Sequence, residues 1–337
     1  MSAEQLAGLS DDLVLGAVLL YLAAMIGFAL ELAFGRARTD TGATALTVTE
    51  PGVKESVAAG SSMAAGSSAA ARSSGGSGEG AEAGATVVVS PPEPPSWAPK
   101  AGMVGLVFAW VGLAANLGSV VTRGLAVGRW PWGNMYEFVV AICLAAVAAF
   151  LVTQLRSNVR FLGAFVMVTA ALGLGFAVIW LHVQAGPVVP ALNSYWIAIH
   201  VSAAVIASGL FTVGGVSGIL YLVRGEGFSR LPTRTDLERV AHRAIVLAFP
   251  VWTFAVIAGA LWADKAWGRY WGWDPKEIWA FITWIVYAGY LHARATAGWK
   301  GRAATVVQLV AFACLLFNLV GVNIFLGGLH SYADVGG

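Results

Sequence analysis

Long apolar runs recur along the chain, and short polar segments separate them. A transmembrane helix needs about 20 mostly apolar residues to cross the hydrocarbon core of a bilayer, and eight runs meet that length. They lie near residues 12–34, 101–121, 134–156, 160–181, 196–223, 244–263, 276–297 and 303–326. The pattern therefore predicts an all-α, polytopic integral membrane protein with about eight transmembrane helices.

One segment, residues 35–100, interrupts this pattern. It is rich in Ala, Gly, Ser and Thr and ends in a cluster of prolines, so it has too little apolar surface to offset its chain entropy. We expect a disordered linker between a first transmembrane helix at 1–34 and a seven-helix domain at 101–337. Acidic rather than basic residues precede the first apolar run, which argues against a cleaved signal peptide.

The composition excludes a water-soluble protein. Of the 337 residues, 58% are hydrophobic and 11% are charged, with a mean hydropathy of +0.74. In a typical soluble domain, about a quarter of the residues are charged. The two cysteines, Cys143 and Cys314, lie far apart in apolar runs, so we predict no disulfide, no CxxC redox pair and no CxxCH haem-attachment site. We expect the lipid bilayer, and no nucleic acid, as a partner.

The basic residues predict how the helices are oriented. With the N-terminus outside, the outer segments carry five of the 20 lysines and arginines, and the inner segments carry the rest. The five are Arg123, Arg129, Lys265, Arg269 and Lys276. Because positive charge concentrates on the cytoplasmic side, we predict a multi-pass plasma-membrane protein with both termini outside and a cytoplasmic linker.

A tryptophan-rich loop, residues 264–277, joins the sixth and seventh runs and faces outward in this topology. Its second half has the pattern of a helix start. Asp274 is a good N-cap, Pro275 suits the first helical position, and Glu277 stands where a capping box needs it. Asp274 thus has a structural explanation as well as a functional one.

The first half of this loop predicts a binding platform. Trp267, Tyr270, Trp271 and Trp273 fall within seven residues, interleaved with glycines that let a flat ligand approach the backbone. Aromatic residues also gather at membrane interfaces, but usually more sparsely. Arg269 and Lys276 are candidates to pair with carboxylates of such a ligand. A flat, apolar dianion fits this pattern, and haem is one.

The chain has five histidines, and three of them are candidate haem-iron ligands. His200 lies just inside the outer end of the fifth run, and His330 follows the eighth, so the topology puts both on the side of the tryptophan loop. Two imidazoles on opposite faces of a porphyrin give six-coordinate iron. His292, toward the cytoplasmic end of the seventh run, is an intramembrane candidate. For His182 and His242 we favour ordinary interface positions, with His182 as the substitute for His200.

Several motifs together resemble the CcsA/ResC family (CcsB-type in actinobacteria) of System II cytochrome c biogenesis proteins, which carry a haem-handling WWD signature. The matching stretches are WGRYWGWDPKEIWAFITWIVYAGYLHAR, PALNSYWIAIHV, GNMYEF and GLHSY, all within residues 130–333. Residues 1–100 add nothing to the resemblance. Within GNMYEF, the sequence suggests that Glu137 bonds to backbone or to Arg129, or has a functional role.

The resemblance implies roles for three histidines. His200 and His330 match two external histidines that ligate haem beneath the tryptophan loop, and His292 matches a membrane histidine thought to ligate haem arriving from the cytoplasmic leaflet. Family proteins act with a ResB/Ccs1-type membrane partner, which supplies a further ligand and a large external domain. We expect that partner as a separate chain, because this one has no such domain.

We therefore expect a role in cytochrome c biogenesis. The chain would bind haem b as a substrate, present it at the outer face and promote its attachment to apocytochrome c, as the haem-ligating component of a haem lyase complex. Two alternatives remain, and only the first uses the same ligands. One is a haem exporter that leaves ligation to its partner. The other is a b-type subunit exchanging electrons with quinone, which would need His292 paired with His242 in the membrane.

Overall fold

The computed structural model describes residues 1–35, 95–188, 192, 194–224 and 230–330, and all regular structure in these residues is helical. The predicted linker lies almost wholly outside them. The helices are α1 (Ala3–Phe34), α2 (Ala98–Val127), α3 (Met135–Arg156), α4 (Gly163–Phe176), α5 (Tyr195–Val223), α6 (Arg234–Trp267), α7 (Pro275–Thr296), α8 (Gly301–Leu316) and α9 (Val322–Phe325). The predicted all-α, polytopic membrane architecture is confirmed.

Two of the spans contain π turns at their C-terminal ends. One, Ala177–Leu181, extends α4, and the other, Phe317–Gly321, joins α8 to α9 in a continuous span. A π turn leaves backbone carbonyls without their usual intrahelical partners and is common at functional sites. The second of these turns lines the cavity that is described below.

The number of spans differs slightly from the prediction. Among the described helices, seven are both long and apolar enough to cross a membrane, and α7 is not one of them. It has 22 residues, or about 33 Å at 1.5 Å per residue, which is long enough to cross. Its tryptophans, tyrosines and charged ends lower its apolarity. These aromatic residues pack inside the bundle or near the cavity, so α7 is less lipid-like than its length suggests.

The helices pack into two apolar clusters. The first involves α1 to α4, with Phe28, Phe150 and Leu174 in its centre, and the second involves α5 to α8 around Phe211 and Tyr287. The Phe211 and Tyr287 rings stack at 3.9 Å between centroids. Helices α5, α6, α7 and α8 thereby form the body that carries the histidines and the tryptophan loop.

A buried ionic network fixes the segment before α3. Glu137, at 1% side-chain exposure, accepts hydrogen bonds from Arg123 Nε at 3.2 Å, Arg129 Nη1 at 2.9 Å and the Gly133 amide at 2.7 Å. The expected bonds of Glu137 to Arg129 and to backbone are thus confirmed. His182 belongs to the same end of the bundle, where its Nε2 lies 3.2 Å from Asp11 Oδ2. The network holds the turn from 130 to 134 beside the cavity described next.

Candidate functional site

A cavity opens where α3, α5, α6 and α7 meet the tryptophan loop, and its empty space, including the part open to solvent, is about 1120 Å³. Its wall is mostly apolar and aromatic, with a few polar groups. This is the usual character of a site for a large organic ligand. Both His200 and His330 line it, together with Trp267, Tyr270 and Trp271. The structure therefore brings five of the eight predicted site residues to one cavity.

His200 is oriented by the backbone of α6. Its Nδ1 lies 2.7 Å from the Ala255 carbonyl oxygen. A carbonyl only accepts, so Nδ1 carries the proton and Nε2 keeps a lone pair. Gly259 makes room for the ring, because a Cβ there would lie 2.7 Å from His200 Cε1. The fold thus presents a neutral imidazole in the tautomer that binds metal through Nε2.

His330 is oriented by a carboxylate in the same way. Its Nδ1 lies 2.7 Å from Asp274 Oδ2, and the adjacent Leu329 amide donates to Asp274 Oδ1 at 2.6 Å. Burial raises the pKa of Asp274, but the hydrogen bonds from His330 and Leu329 outweigh it and hold the pKa below the usual aspartate value. The ionised carboxylate accepts a hydrogen bond from the Nδ1–H group, which fixes the tautomer and the orientation of the His330 ring.

The start of α7 organises the surrounding loop. The predicted capping box is confirmed: Asp274 caps the helix and Glu277 accepts from the Asp274 amide at 3.0 Å. Glu277 also accepts from the Gly272 amide at 2.8 Å, which closes the tryptophan loop. Lys276 donates from Nζ to the carbonyl oxygens of Asn318 and Leu319 at 2.7 and 3.4 Å. Each polar residue of this turn thus holds a different part of the cavity wall.

The loop aromatics divide into two groups. Trp267 packs edge-on against His330, with 5.0 Å between ring centroids, and Tyr270 and Trp271 also face the cavity. Trp273 does not line it. Its side chain is exposed, its ring meets Trp271 edge-on at 5.8 Å, and its φ of 56° lies in the left-handed region. Such a conformation costs a non-glycine residue free energy and often marks a functional turn.

Like His182, His242 and His292 lie outside the cavity wall. His242 Nδ1 is 3.3 Å from the Tyr290 hydroxyl oxygen. His292 is exposed near the C-terminal end of α7, 18 residues or about 27 Å from its N-cap. Two positions along a helix differ by about 200°, so His292 points away from the side on which Tyr290 meets His242. The structure therefore does not bring His292 to the cavity, and His292 does not face His242.

Sequence reasoning missed three parts of the site. Trp262 is buried, and its ring lies 6.2 Å from that of His200 and 5.7 Å from that of His330. Trp132 and the π turn also contribute to the wall. Trp262 stands five residues before Trp267, and this closeness to the tryptophan cluster is the only feature of the sequence that could have indicated its role. The others are brought to the cavity by tertiary packing alone.

The donor set suits a large metal complex better than a bare ion. In the described parts of the chain, no group of three His, Cys, Asp or Glu could hold a metal ion. Two oriented imidazoles in an apolar, aromatic cavity are instead a suitable environment for the iron of a porphyrin.

Comparisons with known proteins identify the family of the chain. The sequence model of the family described as "Cytochrome C assembly protein" matches residues 132–330, which include the cavity histidines and the tryptophan loop. The chain is 34% identical to the cytochrome c biogenesis protein CcsA of Synechococcus elongatus, over 69% of this chain and 87% of that protein. It is 32% identical to CcsA of Synechocystis, over 71% and 90% of the respective lengths, and 32% identical to CcsA of Trieres chinensis, over 70% and 88%. The chain therefore belongs to the cytochrome c assembly protein family and is a multi-span membrane protein of cytochrome c biogenesis.

Proposed function

We propose that the chain binds haem b between His200 and His330 and presents it for covalent attachment to apocytochrome c at the extracytoplasmic face of the plasma membrane. The observation that carries this proposal is the matched orientation of the two imidazoles. Each donates its Nδ1 proton to a fixed acceptor, Ala255 O or Asp274 Oδ2, and both rings line the same cavity. Ligand histidines are commonly held in this manner.

The chain would promote the reaction by positioning. Each cysteine thiol of the apocytochrome adds across one haem vinyl group, with sulfur bonding to one carbon and hydrogen to the other. This addition requires no net redox change. Bis-imidazole ligation and the aromatic wall would hold the haem and restrict access of oxidant while the thiols attack. The histidine of the CxxCH motif could then displace one of the two ligands and release the product.

Haem delivery is assigned to a separate site. His292 is exposed at the far end of α7, where haem from the membrane could reach it. A second axial ligand would come from a ResB/Ccs1-type partner, since His242 faces Tyr290 instead. This geometry favours haem handling over a b-type electron-transfer subunit, which would need His292 paired with His242 within the membrane.

The test is purification of the complex with its partner, followed by haem quantification and absorption spectroscopy. In a His292→Ala background, which removes the haem of the delivery site, His200→Ala and His330→Ala should each lose the six-coordinate spectrum, and added imidazole should restore it by filling the vacated space. His242→Ala is the matched control and should keep the wild-type spectrum. If both cavity variants retained stoichiometric, six-coordinate haem without imidazole, the proposed ligation would be wrong.

A reporter apocytochrome separates ligation from export. If His200→Ala and His330→Ala still deliver haem outside but yield no holocytochrome, attachment depends on these residues and transport does not. If delivery alone is lost and holocytochrome forms when haem is supplied outside, the chain is an exporter.

A further inference from the structure

Lys276 occupies an unusual position in the cavity. Among the described residues that line the cavity, it is the only lysine or arginine. Its ammonium bonds to the carbonyl oxygens of Asn318 and Leu319, and no carboxylate of the described chain lies within 4.0 Å of it. An ammonium has three N–H donors, so one remains after these two bonds.

Other cations in this structure are neutralised differently. Arg123 and Arg129 share Glu137, Arg160 pairs with Glu31, and Arg294 pairs with Glu238. Placing a charge away from water is costly unless an opposite charge accompanies it. Asp274 attracts Lys276 electrostatically, but only backbone carbonyls of the described residues lie at ion-pair distance from its ammonium. A carboxylate in the cavity would supply the close counter-charge.

A second donor stands beside Lys276. Asn323 Nδ2 donates to the Leu319 carbonyl oxygen at 2.7 Å, the same oxygen that Lys276 Nζ reaches at 3.4 Å. Asn323 also lines the cavity, and its other contact from Nδ2 is the weak acceptor Sδ of Met135 at 3.2 Å. A carboxylate at this point would meet an ammonium and an amide N–H together, which is a stronger arrangement than either alone.

The remaining loop cation does not compete for this role. Arg269 is exposed, and its side chain folds over its own loop. The guanidinium lies so close to Gly272 that a Cβ there would be 2.5 Å from Arg269 Cζ. It is not among the residues of the cavity wall. Of the two cations that the sequence offered as carboxylate partners, the structure favours Lys276.

We infer that Lys276, with Asn323 beside it, is a carboxylate subsite that binds one propionate of the haem. This inference rests on the proposed function. Lys276 is two residues from Asp274, which holds His330, so one turn of α7 fixes both the iron ligand and the carboxylate partner. The subsite therefore sets the in-plane orientation of the porphyrin, and with it which edge meets the apocytochrome thiols.

The experiment compares haem with its dimethyl ester, which keeps the iron and the ring but has no carboxylates. Affinities of both are measured spectroscopically for the purified full chain with its partner. For wild type we expect haem to bind more tightly than the ester. In Lys276→Met, that preference should shrink by about tenfold to a hundredfold, as expected for loss of one charge-assisted hydrogen bond. Lys276→Arg should keep most of the preference, and Arg269→Met, the matched control, should keep it fully.

The outcomes separate the possible failures. If Lys276→Met weakens haem and ester equally, Lys276 only supports the π turn and the subsite is refuted. A wild type that does not discriminate between the two ligands, or an Arg269→Met variant that loses the preference, also refutes it. If instead the wild type binds neither ligand with a bis-imidazole spectrum, the proposed function fails before the subsite is reached.

Discussion

Replacing Gly259 by alanine tests ligation by His200 without altering the histidine. A Cβ at position 259 would lie 2.7 Å from His200 Cε1 and 2.8 Å from Nδ1, whereas ordinary contacts begin at 3.4 Å. The imidazole must therefore move by about 0.7 Å, which is enough to weaken its van der Waals contacts with the neighbouring atoms. Because alanine is favoured over glycine inside a helix by about 1 kcal/mol, α6 itself should not be weakened.

The displaced ring should lose haem for two reasons. Its Nδ1 can no longer keep the 2.7 Å contact with the Ala255 carbonyl, and Nε2 moves away from the ligand position. Disturbing the group that orients a metal-binding histidine typically lowers affinity by about 10- to 100-fold. We expect this loss in haem titrations, with a change from a six-coordinate to a five-coordinate spectrum.

Added imidazole sharpens the interpretation. It should restore six-coordination in His200→Ala, where the side chain is gone, but not in Gly259→Ala, where the displaced ring still occupies the space. Gly289→Ala in α7 is the matched control, since a Cβ there meets nothing within 4 Å. It should leave haem binding unchanged. Wild-type affinity and spectrum in Gly259→Ala would refute the assignment of His200 as a ligand fixed by this contact.

Two further substitutions separate support of the site from support of the fold. Asp274→Asn keeps a good N-cap but removes the charge that accepts the His330 proton. Haem affinity should fall about tenfold or more, while the melting temperature of the apoprotein stays close to wild type, and unchanged affinity would contradict the role of the carboxylate. Glu137→Gln removes the carboxylate shared by two largely buried arginines. It should destabilise the protein by about 3–5 kcal/mol, which thermal unfolding in detergent would reveal, and an unshifted melting temperature would show that the network is not needed.

Much of the architecture could be predicted from the sequence, because membrane spans depend on local apolarity. The runs near 12–34 and 244–263 lie within Ala3–Phe34 and Arg234–Trp267, so the predicted spans were right and the helices are longer. Polar residues at the ends caused this difference. They lower apolarity but continue a helix readily, as in the first turns of α1, where Ser2 and Gln5 form a capping box.

The site was harder to predict, because its parts meet only through packing. The chain order suggested that His200 and His330 share a side, but the acceptors that choose their tautomers are a backbone carbonyl and a capping residue. Nothing in the spacing indicates that Ala255 lies beside His200, or that Gly259 clears space for its ring. The WDPKE stretch had two competing explanations, structural and functional. Asp274 reconciles them, because the oxygen pair that caps α7 also holds His330.

His182 provides the last test of this logic, because its place in the sequence made it a substitute for His200. Its engaged nitrogen is Nε2, bound to Asp11 Oδ2, and the ring packs edge-on against Tyr136 at 5.1 Å outside the cavity wall. His182→Gln should therefore leave haem content and spectrum at wild-type values. Since both partners of the pair are 37% exposed, the cost in unfolding free energy should stay below about 1 kcal/mol. Loss of six-coordinate haem in this variant would mean that proximity to the membrane surface, and not the orientation imposed on Nδ1, selects the ligand histidines.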